Sequence, residues 1–380
     1  MPLRGLLLLA VILGGIAGGP AWGQTVIATP SLTVSEAYDD NIRLAPKNRQ
    51  SDFISAVRPG LQLEVKNHPW YLTLGGSLTG EFFADHSQLN NYDNQGGSAS
   101  LAFRPEHPFS LSLTDAYTRS TNPALVAPQA GIATGRFTST SNAITLAASY
   151  QFSASTGVRV QYSFSILQSD SPGARDSDTH EATAALQHQF TPRTSGDISY
   201  TFTRFQVEDT PDRDSHSPRL GLTFAYSPTI KFVTSTGLLF LEREDGSQEV
   251  TLASSTRYEQ AFKQGNFSLG FERNAGVGGV LGVTSVSQTI TAAASYQPLR
   301  NLTLGVDASL AETESSGSSR TRVDFLTFLG GLRISYQLLR WLSLEASYRY
   351  QQQDDRTGSL DFKKNVFFLG LTASDQFRLR

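Results

Sequence analysis

The 380-residue chain contains no cysteine, one methionine, three tryptophans and six histidines. Without thiols it can build no disulfide scaffold, thiolate zinc site, iron–sulfur cluster or cysteine nucleophile. Charge is scarce as well, at 17% of residues against roughly 25% in soluble globular proteins. The net charge of −3 offers no basic field for nucleic acid, which is excluded as a partner. After residue 23 no apolar run approaches the roughly 20 residues that a membrane-spanning helix needs. What is plentiful is glycine, tyrosine and phenylalanine, at 32, 13 and 23 residues. Few charges, many aromatics and no long apolar run describe a β-rich chain that alternates apolar with polar side chains.

Met1–Gly23 reads as a secretory signal peptide. Arg4 supplies the positive start, Leu6 to Ile16 the apolar stretch, and Ala21-Trp22-Gly23 a small-x-small cleavage site. The glycines at 14, 15, 18 and 19 and Pro20 cut the apolar run too short for an anchor. The organisation expected is therefore a signal peptide over 1–23 and a single β domain over 24–380.

From Gln24 the period is two. Leu61, Leu63 and Val65 alternate with Gln62 and Glu64, and Val158, Val160, Tyr162, Phe164 and Ile166 alternate with Arg159, Gln161, Ser163 and Ser165. The same parity runs through Leu220, Leu222, Phe224 and Tyr226, through Leu302 to Leu310, and through Leu342 to Tyr350. Such alternation is a strand with one apolar and one polar face. Links between strands are alternately short (Lys66–Pro69, Ala154–Gly157, Ser227–Thr229, Leu338–Arg340) and long and polar (Ile42–Gln50, Thr121–Thr140, Glu208–Ser217, Gln352–Asp361). That order predicts an all-β fold: one transmembrane, antiparallel, up-and-down barrel of about 18 strands, each of about 9 to 13 residues, with short periplasmic turns and long external loops. Phe103, Phe152, Phe190, Tyr226, Tyr296 and Tyr336 precede short turns and are expected to ring one membrane interface. A β-sandwich would show tight turns at both ends and a solenoid a fixed repeat, and neither pattern is present.

With the apolar parity on lipid, the other parity faces the lumen. The pore-lining candidates are then Arg159, Arg219, Lys231, Arg257, Arg333 and Arg349, with Glu64, Glu81, Asp197, Glu259, Glu272, Asp307 and Glu345. Both signs occur in similar number, so no cationic ring for anion selection is expected. Water suits such charges, although Arg–Glu pairs could also zip the lumen shut. The longest loop carries Leu125, Val126, Pro128 and Ile132, and an apolar loop of this kind is expected to fold into the mouth and constrict it, or to act as a mobile flap or a contact with lipopolysaccharide. The acidic loop clusters, such as Asp176 with Asp178 and Asp354 with Asp355, lack calcium-loop spacing and are interleaved with arginines. They read as solvated loops, so neither metal nor cofactor is expected.

The first hairpin carries the most specific text: Ser35-Glu36-Ala37-Tyr38-Asp39-Asp40-Asn41-Ile42, then Ser51-Asp52-Phe53-Ile54 and Pro59-Gly60-Leu61. It resembles the putative beta-barrel porin family of Gram-negative outer membranes, many of whose members lie near exopolysaccharide export genes. The resemblance implies an outer-membrane barrel that could conduct polysaccharide, and it supplies no functional residues to transfer. One departure is the end of the chain: barrels of this kind usually finish on an aromatic residue, whereas here Phe377 stands three residues before Arg380.

An enzyme is not expected. His68 and His107 adjoin prolines in turns, His86 and His216 fall in loops, and His180 and His188 mark the two ends of one strand. No nucleophile elbow or zinc helix is present, and the glycines at 276, 278, 279 and 282 lack the Lys-Ser/Thr and helix of a phosphate cradle. The function expected is a porin-like channel for small polar solutes or polysaccharide. The alternatives are a closed barrel whose loops bind a partner and a gated exopolysaccharide exporter. The partners expected are outer-membrane lipid and lipopolysaccharide, the barrel assembly machinery and, in the export reading, exopolysaccharide.

Overall fold

The computed structural model describes residues 25–105, 107–122, 136–172, 174–242, 247–278, 283–315, 324–356 and 360–379. The signal-peptide segment and the loop residues Leu125, Val126, Pro128 and Ile132 lie outside these. The described chain is almost wholly strand. In order these are β1 (Thr25–Asp39), β2 (Asp52–Asn67), β3 (Trp70–Phe83), β4 (Asn91–Phe103), β5 (Phe109–Ser120), β6 (Ser139–Gln151), β7 (Thr156–Ser169), β8 (Ser177–Thr191), β9 (Thr194–Val207) and β10 (Arg213–Ser227). They continue with β11 (Ile230–Glu242), β12 (Gln248–Phe262), β13 (Gly265–Gly278), β14 (Val283–Leu299), β15 (Leu302–Ser315), β16 (Asp324–Leu339), β17 (Leu342–Asp355), β18 (Phe362–Ser374) and the short β19 (Phe377–Leu379).

Each strand pairs antiparallel with its sequence neighbour, and β18 returns to β1 over Ser31↔Ser374 through Asp39↔Val366. After Asp375–Gln376 the chain rejoins the same edge of β1 as β19, with Ala28↔Phe377 and Val26↔Leu379. The result is a closed barrel of eighteen staves, the last completed by β19. Closure leaves no backbone edge unpaired, which lipid requires of any β structure.

The apolar parity is on the outside. Val34, Val160, Ile198, Leu220, Leu252 and Leu369 are all more than half exposed, Ile198 at 63%, because nothing but lipid is there to cover them. At the ends with short turns, Phe152, Phe190, Tyr226 and Tyr296 are exposed at 50% or more, and the Trp70 and Phe103 rings meet at 4.2 Å. This is the interfacial belt that amphipathic rings form. At the opposite ends Tyr38 meets Phe53 at 5.1 Å and Phe82 meets Tyr92 at 5.5 Å.

Strands run to 12–17 residues, longer than the sequence predicts. The excess is at the external ends. Strand β10 begins at Arg213, inside the segment read as the loop Glu208–Ser217, and His216, expected in a loop, pairs with Phe202. Above the lipid the side chains no longer need to be apolar, so the alternation fades while backbone pairing continues. The Tyr200 hydroxyl bonds to His216 Nδ1 at 2.6 Å, the Tyr162 hydroxyl to His180 Nδ1 at 2.7 Å, and Arg204 grips Asp214 with two bonds of 2.8 and 2.9 Å. This polar collar carries the sheet beyond the membrane.

Candidate functional site

The inner face is the polar parity of every strand. The strand register places the thirteen charged candidates opposite the exposed apolar side chains, and it brings several of them together. On β16 and β17 Arg333 Nε is 3.4 Å from Glu345 Oε1. Lys231 stands directly across from Glu259, whose carboxylate is 3.8 Å from Arg257 on the same strand. Asp307, Gly331 and Arg349 form one cross-strand row, an acid and a base either side of a glycine. The glycine is needed there: a Cβ on Gly331 would lie 2.8 Å from Asp307 Oδ1, so only glycine lets that carboxylate lie flat on the wall. Asp197 lies over Gly221 in the same manner.

Arg219 reaches furthest. Its Nε donates to Ser217 Oγ at 2.9 Å and its Nη2 to Asn274 Oδ1 at 2.9 Å, three staves away on β13, with Glu181 and Glu272 within electrostatic reach. Arg159 donates to Gln161 Oε1 at 3.0 Å. Glu64 pairs with Lys66 at 3.1 Å near the periplasmic end, and Glu81 with Arg136 at 2.7 Å, the guanidinium lying over the Phe83 ring at 4.9 Å. Sequence reading missed Glu181 and Arg136. Glu181 alternates with Ala182 and Ala184, too small to announce a parity, and Arg136 precedes its strand altogether.

The charges are densest from β7 to β17, with Arg58, Glu64 and Glu81 on β2 and β3. On β4, β5 and β6 the inner face carries hydroxyls instead, among them Ser98, Ser100, Ser112, Thr114, Thr118 and Thr145. A single cross-strand row, Ser374–Ser31–Gly60–Ser77–Gly96–Thr118–Ser141, crosses seven successive staves with nothing larger than threonine. Along it runs a cavity of about 570 Å³, bordered by Arg58, Gly75, Ser98 and Thr372.

At the external mouth the first loop, residues 40–51, turns inward. Ile42 and Leu44 are each 1% exposed, Ile42 packing on Ile54, Phe83 and Leu89 and Leu44 on Phe362. Leu44 takes a left-handed φ of 55°, a conformation costly for a bulky residue and maintained here by burial. Asn41, fully buried, fixes the turn: its Nδ2 donates to the Ala45 and Lys363 carbonyls at 2.9 Å, and its Oδ1 accepts from Ala45 N at 2.8 Å. Beside it Lys364 Nζ meets Asp39 Oδ2 at 2.7 Å with both side chains nearly sealed from solvent. Asp40 accepts two 2.6 Å bonds from Asn365, one from its backbone N and one from its Nδ2. The first hairpin's distinctive text thus builds the seam between the first and last staves. Elsewhere on the rim Glu312, Glu314 and Asp324 converge. Arg356, with contacts of 2.8 Å to Glu312 and 3.3 Å to Asp324, is the cation among them.

Among solved structures the chain is similar to Pseudomonas aeruginosa OpdL (12% identity, 93% of this chain and 99% of that one, TM-score 0.45). It is similar also to Acinetobacter baumannii OccAB4 (12%, 94% and 100%, 0.47) and OccAB2 (10%, 94% and 100%, 0.49). No curated protein matches it by sequence. Residues 272–375, from within β13 to the end of β18, match the family described as Putative beta-barrel porin 2, at the opposite end of the chain from the hairpin that first carried the resemblance. The closed barrel with its apolar exterior is a transmembrane β-barrel of the outer-membrane, porin-like type, and its residues 272–375 are similar to the Putative beta-barrel porin 2 family.

Proposed function

We propose that the barrel is a water-filled channel for small polar solutes, entered through a mouth narrowed by the first external loop. One observation carries this reading: the Arg257 and Arg333 side chains are 68% and 56% exposed on the inside of a closed barrel. Charges so placed call for water, since burying each one dry would cost several kcal/mol, and a barrel of this size ordinarily encloses an aqueous lumen. Charges of both signs side by side on the wall give little net field, so weak ion selectivity is expected. The chemistry is passage, with no part for a cofactor or a catalytic group.

A second reading, passage of a hydroxylated polymer such as exopolysaccharide, is favoured by the small-residue row across β18 and β1–β6. That track offers hydroxyls and clearance, with Arg58, bonded to Ser77 Oγ at 3.1 Å, as a charge on its border. In either reading Met1–Gly23 is a removable export signal, and the lipid-facing wall meets lipopolysaccharide once the assembly machinery has inserted it.

Planar-bilayer recording of the purified, folded protein tests both. Discrete conductance steps with a reversal potential near zero in a salt gradient are the expected result. A heat-modifiable barrel that never conducts would overturn the channel. Block of the steps by neutral oligosaccharides, but not by similarly sized anions, would single out the polymer reading.

A further inference from the structure

The outward face of the wall is mostly apolar, with hydroxyls on β11 and β12 (Thr234, Thr236, Ser254 and Thr256) and a carboxylate on β5. On β5 the outward positions are Phe109, Leu111, Leu113, Asp115, Tyr117 and Arg119, with Phe109 in the periplasmic aromatic belt. Asp115 is six residues beyond Phe109, which is about 20 Å along a strand and about 15 Å of height at the usual tilt. The apolar band of such barrels is about 25 Å tall, so Asp115 sits within its central part. The register confirms the side it faces: its neighbour on β6 is Ile144, 37% exposed to the exterior. An ionisable side chain at that depth marks a functional surface rather than a lipid-facing one.

Three further features converge on it. Asn142 Nδ2 donates to Asp115 Oδ1 at 2.7 Å, and among the described residues no donor meets the other carboxylate oxygen. The Tyr117 hydroxyl likewise has no partner among the described residues. Next to both lies a depression: Gly76 and Gly97 are register neighbours, Gly97 pairs with Tyr117, and a Cβ on Gly76 would meet nothing within 4 Å. Hydrocarbon can neither bond to the open carboxylate oxygen and phenol nor gain much packing on bare backbone.

We propose that this patch is covered by a second copy of the same chain, joined through a two-fold axis along the membrane normal. The argument for a second copy is self-complementarity. The patch carries an unfilled acceptor (Asp115), an unfilled donor (Tyr117) and a carboxamide with both functions (Asn142), so two identical patches can satisfy each other at equal depth. In an isologous contact of this kind each copy also brings its own cation, Arg119, which stands two residues beyond Tyr117 on the same outward file. Across it the side chains around Asp115 fill the depression at Gly76 and Gly97, where small residues let two walls approach closely.

The chain's lack of cysteine makes the test direct. Gly76→Cys, and as a control Leu222→Cys on the outward face of β10, are treated in native outer membranes with a bis-maleimide of about 10 Å reach. The proposal expects dimer yield at least fivefold higher from Gly76→Cys, with a roughly tenfold drop when Asp115→Leu and Asn142→Leu are added. Heat-modifiable migration shows that each variant is folded. Equal yields at the two positions, or a yield indifferent to the double substitution, would overturn it. So would a Gly76→Cys variant that fails to cross-link yet resists a membrane-permeant monomaleimide, since a different macromolecule would then occupy the patch.

Discussion

At the scale of single residues, parity does most of the sorting. Lys363 and Lys364 are adjacent and chemically identical, yet the two diverge completely. Lys363 takes the outward parity, while Lys364 turns inward and is sealed against Asp39 at 2.7 Å. Nothing in the local text separates them, because the decision depends on a partner 325 positions away. Removing one member of a buried pair strands the other charge, at a cost of about 3–5 kcal/mol. Lys364→Met is therefore expected to lower the urea midpoint for loss of heat-modifiable migration by an amount in that range. The double variant Asp39→Asn, Lys364→Met should recover most of the loss. A single variant with wild-type stability would show the pair to be idle. The inward charges on strongly alternating strands were legible for the opposite reason: Arg159 and Arg333 are flanked by large apolar neighbours that fix the parity, whereas alanines leave Glu181 ambiguous.

At the scale of elements, strand number and turn order followed from the sequence, while strand length did not. Alternation is imposed by lipid and ends where lipid ends, but backbone pairing does not, so the polar collar of His180, Arg204, Asp214 and His216 was invisible to a hydropathy rhythm. The loops were harder still. Ile42 and Leu44 look like two stray apolar residues in a polar link, and only the fold supplies Ile54, Phe83 and Phe362 to receive them. If this first loop narrows the entrance, replacing both apolar anchors (Ile42→Asp with Leu44→Asp) should release it. Single-channel recording is then expected to show larger or more flickering steps than wild type. Unchanged steps would place the narrowest point elsewhere along the lumen.

At the scale of the whole molecule, the inside of the barrel is divided rather than uniform: a charged arc from β7 to β17 faces a hydroxyl arc on β4 to β6. Composition already announced near-neutrality, and it is local pairing, as between Arg333 and Glu345, that keeps the field weak. Removing two acidic members, Glu259→Gln with Glu345→Gln, frees basic partners and should move the permeability ratio toward anions by roughly twofold. Reversal potentials in a salt gradient measure this, and a shift toward cations would contradict the placement of these groups along the conduction path. Which solute passes was not legible, since serine and threonine hydroxyls bond to almost any polar molecule.

The seam between β1 and β18 has a consequence in time as well as in space. Asp40 and Asn365, bonded across it, are 325 residues apart, and closing the seam means closing a loop that takes in nearly the whole chain. Every other neighbouring pair of staves can form from local sequence, so the ring shuts last, and until then two open edges invite pairing with other chains. Contacts that form after the folding barrier chiefly govern how fast a structure comes apart. Lesions at Asp39, Asn41 or Lys364 should therefore leave the rate of membrane insertion nearly untouched and shorten the lifetime of the finished barrel.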